Sequence, residues 1–394
     1  MTARLRGVLF PLMTVVIAFV LGGLVVILVG ANPFTVYKQL AVGAGLDWPF
    51  QYLPGHPVHV DPVVSEINLT HTLAYATPLV LAGLAVGFAF RCGLFNIGGQ
   101  GQYWVGAYLA VEIGLYVTDH WAGHGREAVL LATLGAALMG SAWAAIAGFL
   151  KAYRGAHEVI STIMLNWIAI FGGQWLFGLG GPLQDKASSA PASRTLPLSA
   201  TYDSIWGFIP GGSVTIAIFI ALGAAVVYTL ILSRTTLGYE VRAVGLNAEA
   251  ARYGGVSVKR SIVLSMAIAG AFAGLAGAAD VLGSGSFQIQ TTNLQVVDAG
   301  FTGIAVALLG RNTGIGIVLG GLLFAVLHTG ANNISSGLSP ELAINLATII
   351  QGVIILFVGG EIVVRWILSG GGGRWRRRDP PPLTLPLPSA ENPV

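Results

Sequence analysis

The sequence predicts an all-α protein that crosses a membrane many times, and three observations support this fold class: composition, apolar windows and the placement of basic residues. The 394-residue chain is 54% hydrophobic and 9% charged, with a mean hydropathy of +0.75. A water-soluble domain of this size would lack enough polar side chains to cover its surface. We therefore expect a polytopic protein of the cell (inner) membrane.

Apolar windows of about 20 residues, the length that spans a bilayer core, follow one another along the chain. The first window is too long for a cleaved signal peptide, so we interpret it as a retained anchor helix. The eighth window is the weakest. We predict about ten transmembrane helices, at residues 8–31, 72–90, 97–117, 128–150, 158–180, 213–233, 262–283, 294–310, 313–333 and 341–365.

Basic residues test the number and orientation of these windows, because cytoplasmic loops carry an excess of Lys and Arg. With the N-terminus in the cytoplasm, 16 of the 20 basic residues fall inside. One missed span would invert every later loop, so this asymmetry supports ten spans with both termini cytoplasmic. The four basic residues left outside are Lys38, Arg126, Lys186 and Arg194.

Three regions are predicted along the chain. Residues 1–71 form the anchor helix and an extracytoplasmic loop, residues 72–365 the transmembrane domain, and residues 366–394 a basic, Pro-rich cytoplasmic tail that meets anionic lipid. His56 and His59 in the first loop could hold a metal ion with a nearby aspartate. We interpret that loop as solvated and predict no metal site, because no such spacing repeats on a predicted helix.

The longest charged interruption between apolar windows in the second half of the chain is residues 238–260. Asn247 is expected to cap a short helix there, because its side-chain oxygen can accept a backbone N–H at the helix start. Glu249 would then face the positive end of the helix, and Gly254 with Gly255 would end it. A short capped helix outside the hydrocarbon suits docking against another protein.

The sequence contains no motif that would supply the energy for transport. A Walker-type phosphate loop needs Gly-Lys followed by Ser or Thr, and none of the four lysines follows a glycine. No Ser-His-Asp or paired-carboxylate arrangement is placed for catalysis. Ion-coupled carriers need ionisable residues in their spans, and few occur here. We therefore expect a non-enzymatic subunit powered by a separate ATPase; the span candidates are Glu112, Asp280, Asp298, His328 and Glu361.

Three stretches resemble permease subunits of ABC importers for simple sugars and nucleosides, a branch related more distantly to branched-chain amino-acid permeases. Residues 95–102 resemble the motif Asn-Ile-Gly-x-Glu-Gly-Gln, with Gln100 where glutamate is usual. Residues 157–167 resemble Asn-Glu-Val-Ile-Ser-Thr-Ile-Met-Leu-Asn-Tyr, with histidine and tryptophan as departures. Residues 238–258 resemble the loop that holds the coupling helix, so residues 238–260 are named the coupling segment.

The resemblance implies a set of partners. These are ATPase subunits that carry ATP and magnesium, a second permease that is a shorter paralogue, and an extracytoplasmic solute-binding protein; this chain would bind no cofactor and no nucleic acid. By the same resemblance, the residues that couple to the ATPase are Gly238, Glu240, Arg242, Ala243, Val244, Gly245, Asn247, Ala250, Ala251, Tyr253 and Gly254.

Amide side chains in two of the windows are candidate solute contacts. Amides both donate and accept hydrogen bonds, which suits an uncharged polar solute, and an adjacent indole could stack on a ring. The alternative is that they join neighbouring helices or satisfy backbone groups near the glycines. The candidates for the substrate pathway are Asn96, Gln100, Gln102, Asn166, Trp167 and Gln174.

Other interpretations stay open at this point. Glycine-rich patterns in residues 97–117 and 294–333 fit two inverted repeats around a pathway, although tight packing alone would give the same pattern. A branched-chain amino-acid permease should need charges for a zwitterion, and a secondary carrier or channel would work without an ATPase. Polar residues expected near the outside suggest a gate or a binding-protein contact; they are Asn293, Asp298, Asn332, Asn333 and Asn345.

Overall fold

The computed structural model confirms an all-α membrane fold for the part of the chain that it describes. Two predictions, on the histidines His56 and His59 and on the basic tail, lie outside that part, as does Glu361, and they stay predictions. The described residues are 3–28, 30–50, 61–121, 123–206, 214–283, 287–294, 298–333 and 340–359.

The described part contains thirteen α-helices, three short 3-10 helices and one small hairpin. The hairpin pairs β1, Ser204–Trp206, with β2, Val214–Thr215, in antiparallel fashion. The helices are α1 Ala3–Leu28, α2 Pro33–Gly43, α3 Pro62–Arg91, α4 Gly99–His120, α5 Gly125–Arg154, α6 Glu158–Phe177, α7 Ala217–Arg234, α8 Thr236–Leu246, α9 Ala248–Tyr253, α10 Val258–Gly283, α11 Ala299–Leu309, α12 Gly314–Asn332 and α13 Pro340–Gly359.

Each of the ten predicted windows contains a helix, in the expected order. Six helices in the described residues are long and apolar enough to cross a membrane: α3, α5, α6, α7, α10 and α12. Residues Leu12–Leu28 of α1 and helix α2 form a further pair bent by 115°. Helix α11 rises only about 16 Å, roughly half of the hydrocarbon core. The protein is multi-pass, whereas the count of ten stays a prediction.

Small residues bring the central helices into backbone contact. A Cβ atom at Gly270 of α10 would lie 2.2 Å from the carbonyl oxygen of Gly140 on α5, so only glycine permits this approach. Close packing of this kind holds membrane helices together where lipid supplies no hydrophobic driving force. Helices α3, α4, α5 and α10 therefore form the core, and α6 turns exposed side chains such as Phe171 and Trp175 outward.

Helix α2, the second helix from the N-terminus, packs against the end of α12. A Cβ atom at Gly330 would lie 2.3 Å from the carbonyl oxygen of Leu40, and the Asn333 amide donates to the Gly43 carbonyl at 3.2 Å. Asn32 begins α2 by accepting a hydrogen bond from the Phe34 N–H at 2.9 Å. The region before the predicted second span thus supports the end of α12 that the predicted topology places outside.

Candidate functional site

A cavity of about 260 Å³ lies between five helices, and we call it the outer cavity. Its walls come from the first half of α3, the last residues of α10 and α12, and the beginnings of α4 and α11. In the predicted topology those parts of α3, α10 and α12 face the outside. Its polar lining includes His71, Tyr75, Tyr103, Asp280, His328 and Asn332.

One wall of the outer cavity holds a carboxylate near the end of α10. Tyr103, which is fully buried, donates its hydroxyl hydrogen bond to Asp280. Helices α4 and α10 touch just beside this pair, because a Cβ atom at Gly277 would lie 2.1 Å from the Tyr103 carbonyl oxygen. An ionisable side chain within a membrane bundle is expensive to hold, which makes this pair a candidate functional position.

Another part of the cavity wall holds an aromatic pair. The rings of Tyr75 and His328 are stacked, with centroids 3.9 Å apart and planes 5° apart. Asn332 donates to the His328 carbonyl at 2.9 Å, one turn further along α12. Pro78 of α3 lacks an N–H, so the Ala74 carbonyl loses its helical donor, and both residues line the cavity. This wall offers a flat ring and hydrogen-bonding groups together.

Four of the predicted pathway amides lie on the side of Tyr103 that the predicted topology places toward the cytoplasm, in a hydrogen-bonded group that we call the amide floor. Asn96 and Gln102 bond each other through both amide groups at 3.1 Å. Asn166 accepts from the Gly101 N–H at 2.8 Å and donates to the Ile97 carbonyl at 2.9 Å. The members, each at most 2% exposed, are Asn96, Gln100, Gln102 and Asn166.

The amide floor forms where two helices begin inside the bundle. Helix α11 starts against α4, since a Cβ atom at Gly300 would lie 2.4 Å from the Gln100 backbone nitrogen, and the Gln100 side chain accepts from the Gly300 N–H at 2.9 Å. The first N–H groups of a helix lack helical partners, and lipid offers none. These bonds match the alternative in which the amides satisfy backbone groups. Direct solute contact by the floor stays a prediction.

The other two pathway candidates lie apart from the floor. Trp167 is 46% exposed on the outer side of α6, where it stacks on Phe171 with centroids 5.5 Å apart. Gln174 lines a separate open depression with Thr291 and Thr292. The six candidates therefore occupy three places, and none lines the outer cavity.

Sequence reasoning missed Tyr75 and Tyr103 as wall residues of the outer cavity. No motif singles out these tyrosines, so only their neighbours in space reveal them. Asp280 and His328 did carry a signal, as ionisable residues in predicted spans, but it was used only to judge ion coupling. Asn332 and Asn333 were predicted near the outside and do line the cavity.

The coupling segment folds into two helices that meet at Asn247. This residue ends α8 and begins α9, and its side chain accepts from the N–H groups of Glu249 and Ala250, each at 3.0 Å. The predicted cap is confirmed. Helix α9 ends before Gly254, and Gly255 follows with a φ of +83°. A short capped helix therefore lies between α8 and α10.

The two helices of the coupling segment turn different residues outward and inward. Leu246 and Tyr253 are 89% and 93% exposed, and Ala250 between them is exposed too. Ala251 is only 6% exposed and Val244 is buried against the bundle. An exposed apolar surface at the predicted cytoplasmic side suits a partner protein. The coupling role itself stays a prediction.

Comparison with known proteins identifies the family. Residues 68–359 match the family described as branched-chain amino acid transport system / permease component. The guanosine ABC transporter permease protein NupP of Bacillus subtilis is 36% identical over 94% of this chain and 98% of its own length. The nucleoside ABC transporter permease protein NupB of Lactococcus lactis is 32% identical over 93% and 95%.

A third relative has a different solute in its name. The glucose ABC transporter permease protein TsgB13 of Haloferax volcanii is 33% identical over 88% of this chain and 86% of its own length. Bacillus subtilis and Lactococcus lactis each have a second ABC transporter permease protein that matches. Their identities are 27% and 25%, respectively, each over 66% of this chain. No solved structure matches. The chain therefore belongs to the family of branched-chain amino acid transport system permease components.

Proposed function

We propose that this chain is the membrane-spanning permease subunit of an ATP-driven ABC importer that takes up nucleosides or related simple sugars. The names of the relatives support this, because two transport nucleosides and one transports glucose. A binding protein outside delivers the solute to the outer cavity. ATP and magnesium bind to separate ATPase subunits.

The chemistry of the outer cavity is the observation that carries the proposed solute class. Asp280, Asn332 and Thr329 supply carboxylate, amide and hydroxyl groups, which suit the hydroxyls of a sugar ring. A zwitterionic amino acid would also need a cationic partner for its carboxylate. The described residues that line the cavity include no lysine and no arginine. An uncharged polyhydroxylated solute fits better than an amino acid.

The stacked pair of Tyr75 and His328 favours a nucleoside over a simple sugar. Stacking of a nucleobase on an aromatic side chain contributes about 1–3 kcal/mol per base. Glucose has no planar π-system and would gain less from this wall than a nucleobase. The cavity, at about 260 Å³, lies just below the usual range of ligand pockets, roughly 300–1,000 Å³. A small solute of nucleoside size is consistent with this volume.

The amide floor separates the outer cavity from the cytoplasm in this arrangement. Asn96, Gln100, Gln102 and Asn166 would meet the solute only after the floor opens and their mutual hydrogen bonds break. Amides can exchange those bonds for bonds to hydroxyls or a base, since they donate and accept equally well. The floor is thus proposed as the second part of the pathway, after the outer cavity.

Two kinds of partner complete the proposed importer. The exposed side chains of Leu246, Ala250 and Tyr253 form the surface on which an ATPase subunit docks. A second permease forms the other half of the membrane complex. The presence of two related permeases in each of two bacteria supports this. Movement of the coupling segment during ATP hydrolysis switches the pathway between outward-facing and inward-facing states.

Uptake by reconstituted complex tests the proposed function. The chain is expressed with its chromosomal neighbours, and the purified complex is placed in liposomes with the cognate binding protein. We expect uptake of radiolabelled guanosine that requires ATP and is competed by other nucleosides but not by leucine. Uptake by this chain alone, without an ATPase, would show a secondary carrier or channel instead.

Replacement of Tyr75 tests whether the aromatic pair in the wall of the outer cavity binds the solute. Tyr75→Leu removes the stacking ring, so we expect guanosine uptake to fall roughly tenfold, within the range expected for one base stack. Tyr116→Leu is the matched control, because Tyr116 also stacks on a histidine, His120, but lies exposed outside the cavity. An equal loss in both variants would contradict a role for Tyr75 in solute binding.

Replacement of Ala250 tests the ATPase surface. Ala250→Glu puts a charge on the exposed surface and should abolish co-purification of the ATPase. Ala251 is unsuitable for this purpose, because it is buried and its replacement would disturb packing. Glu249→Ala is the control, because Glu249 is next to Ala250 and also exposed, and its side chain changes in size by a similar amount. Normal ATPase binding by Ala250→Glu would place the docking surface elsewhere.

A further inference from the structure

The coupling segment touches the turn that ends α3 through backbone atoms. A Cβ atom at Gly245 of α8 would lie 2.3 Å from the carbonyl oxygen of Arg91 and 3.0 Å from the backbone nitrogen of Gly93. Gly93 itself has a φ of +74°, which favours glycine. No side chain lies between the two segments here, so a displacement of α8 reaches Arg91 directly.

The Arg91 side chain holds the turn between α11 and α12. Its Nε and Nη2 atoms donate to the Asn312 carbonyl at 3.0 and 2.6 Å, and the Tyr228 hydroxyl donates to the same oxygen at 2.8 Å. Arg311 and Asn312 both have positive φ, 51° and 53°, a conformation that non-glycine residues rarely adopt. Three hydrogen bonds to the Asn312 carbonyl oxygen therefore stabilise a strained turn.

Helix α11 runs from that turn to the amide floor. At its other end the Gly300 N–H donates to the Gln100 side chain at 2.9 Å, and the preceding residue, Ala299, lines the outer cavity. Between the two ends it packs tightly on α3, since a Cβ atom at Gly303 would lie 2.8 Å from Ala82. A helix of 11 residues with contacts at both ends can pass a displacement from one end to the other.

We infer that Arg91 is a positioning residue that ties α11 to the coupling segment, so that movement of α8 shifts α11 and opens the amide floor beneath the outer cavity. This inference rests on the proposed function. The planar guanidinium suits the role, because two of its N–H groups reach one oxygen. Glutamine at this position could not make both bonds.

The ratio of solute taken up to ATP hydrolysed tests this role. Both rates are measured in the same liposomes for the wild-type complex and for Arg91→Gln. We expect the ratio to fall about tenfold, as for loss of hydrogen bonds from a charged group, while ATP hydrolysis and the affinity for guanosine stay at wild-type values. A merely structural role would lower the yield of complex and leave the ratio unchanged. Arg234→Gln, exposed at the end of α7, is the control.

A second variant approaches the same connection from the coupling segment. Gly245→Ala forces α8 away from the Arg91 carbonyl and should lower the ratio in the same way. Gly223→Ala on α7 is its control, because a Cβ atom there meets nothing within 4 Å. Wild-type ratios in Arg91→Gln or in Gly245→Ala overturn the inference and leave the proposed function intact. Absence of ATP-dependent uptake by the wild type overturns both.

Discussion

The amide floor and the outer cavity are both polar regions inside an apolar bundle, but their polar groups are used differently. In the floor, the side chains of Asn96, Gln102 and Asn166 bond each other or the backbone and are almost fully buried. In the cavity, Asn332 and His328 face open space between helices. Polarity alone therefore does not identify a solute site in a membrane protein.

The difference lies in what the local backbone requires. Helices α4 and α11 begin within the bundle, so the floor amides replace the water that would otherwise meet their first N–H groups. The cavity walls consist of continuous helix at α3, α10 and α12, whose backbone is satisfied within each helix except at the Ala74 carbonyl opposite Pro78. Side chains on those helices keep hydrogen-bonding capacity for a solute. Substitutions in the floor should therefore affect stability first, and substitutions in the cavity should affect transport.

The largest effect is expected in the floor, from Asn166→Leu. This change leaves the Gly101 N–H and the Ile97 carbonyl without their partner, at about 1–3 kcal/mol for each buried group. We expect a clear fall in Tm of the purified complex, measured by intrinsic fluorescence. Asn345→Leu on the exposed side of α13 is the control. An unchanged Tm for Asn166→Leu would remove the distinction between floor and cavity.

A comparable effect on transport, without loss of stability, is expected in the cavity from Asp280→Asn. The carboxylate would lose its charge but keep its size beside Tyr103. Hydrogen bonds to charged groups contribute about 1.5–3 kcal/mol, so guanosine uptake should fall roughly tenfold or more. Asp203→Asn, exposed in the outer loop, is the control. A lower Tm with normal uptake would assign Asp280 to packing.

A smaller and more specific effect is expected for the Asn96 and Gln102 pair. Each single change to leucine leaves one amide without its partner, whereas the double change removes both. We expect the double variant to lose less stability than the sum of the two singles, by about 0.5–3 kcal/mol. The free energies of unfolding of all three variants measure this. Simple additivity would contradict direct pairing in the floor.

The smallest effect is expected outside both regions, at the surface pair of Arg194 and Asp119. The guanidinium bonds both carboxylate oxygens, at 2.7 and 3.2 Å, and this hydrogen bonding holds the pKa of Asp119 below its ordinary value. A depressed pKa contributes stability above the unfolded value, about 3.9, and the contribution is lost as pH falls through the folded value. Exposed pairs contribute roughly 0–1 kcal/mol.

Comparison of Arg194→Gln with the wild type measures this last effect. The two Tm values should differ slightly near neutral pH and converge in acid, because protonated Asp119 no longer pairs with the guanidinium. A difference as large as that of Asn166→Leu would show that the outer loop matters as much as the floor. A difference that grows as pH falls would contradict the sign of the pKa shift.

Local signals in the sequence predicted much of the fold. The apolar windows placed a helix at each expected position, since a chain in lipid must satisfy its backbone within helices. The cap at Asn247 was predicted correctly because capping depends only on the next three residues. The division of α8 from α9, with Ala251 inward and Ala250 outward, was not predicted, because inward and outward depend on which helices lie beneath.

The sequence by itself determined the all-α membrane fold, the family and the helix that begins at Asn247, because these follow from composition, motif and short-range chemistry. Only the tertiary structure decided which polar residues line a cavity. Tyr75, Asp280 and His328 are separated by tens to hundreds of residues and meet only when α3, α10 and α12 pack together. Likewise, Gln100 reaches Gly300 only because two helices begin at the same depth. Contacts between distant parts of a chain leave no periodic or local trace for sequence reasoning to find.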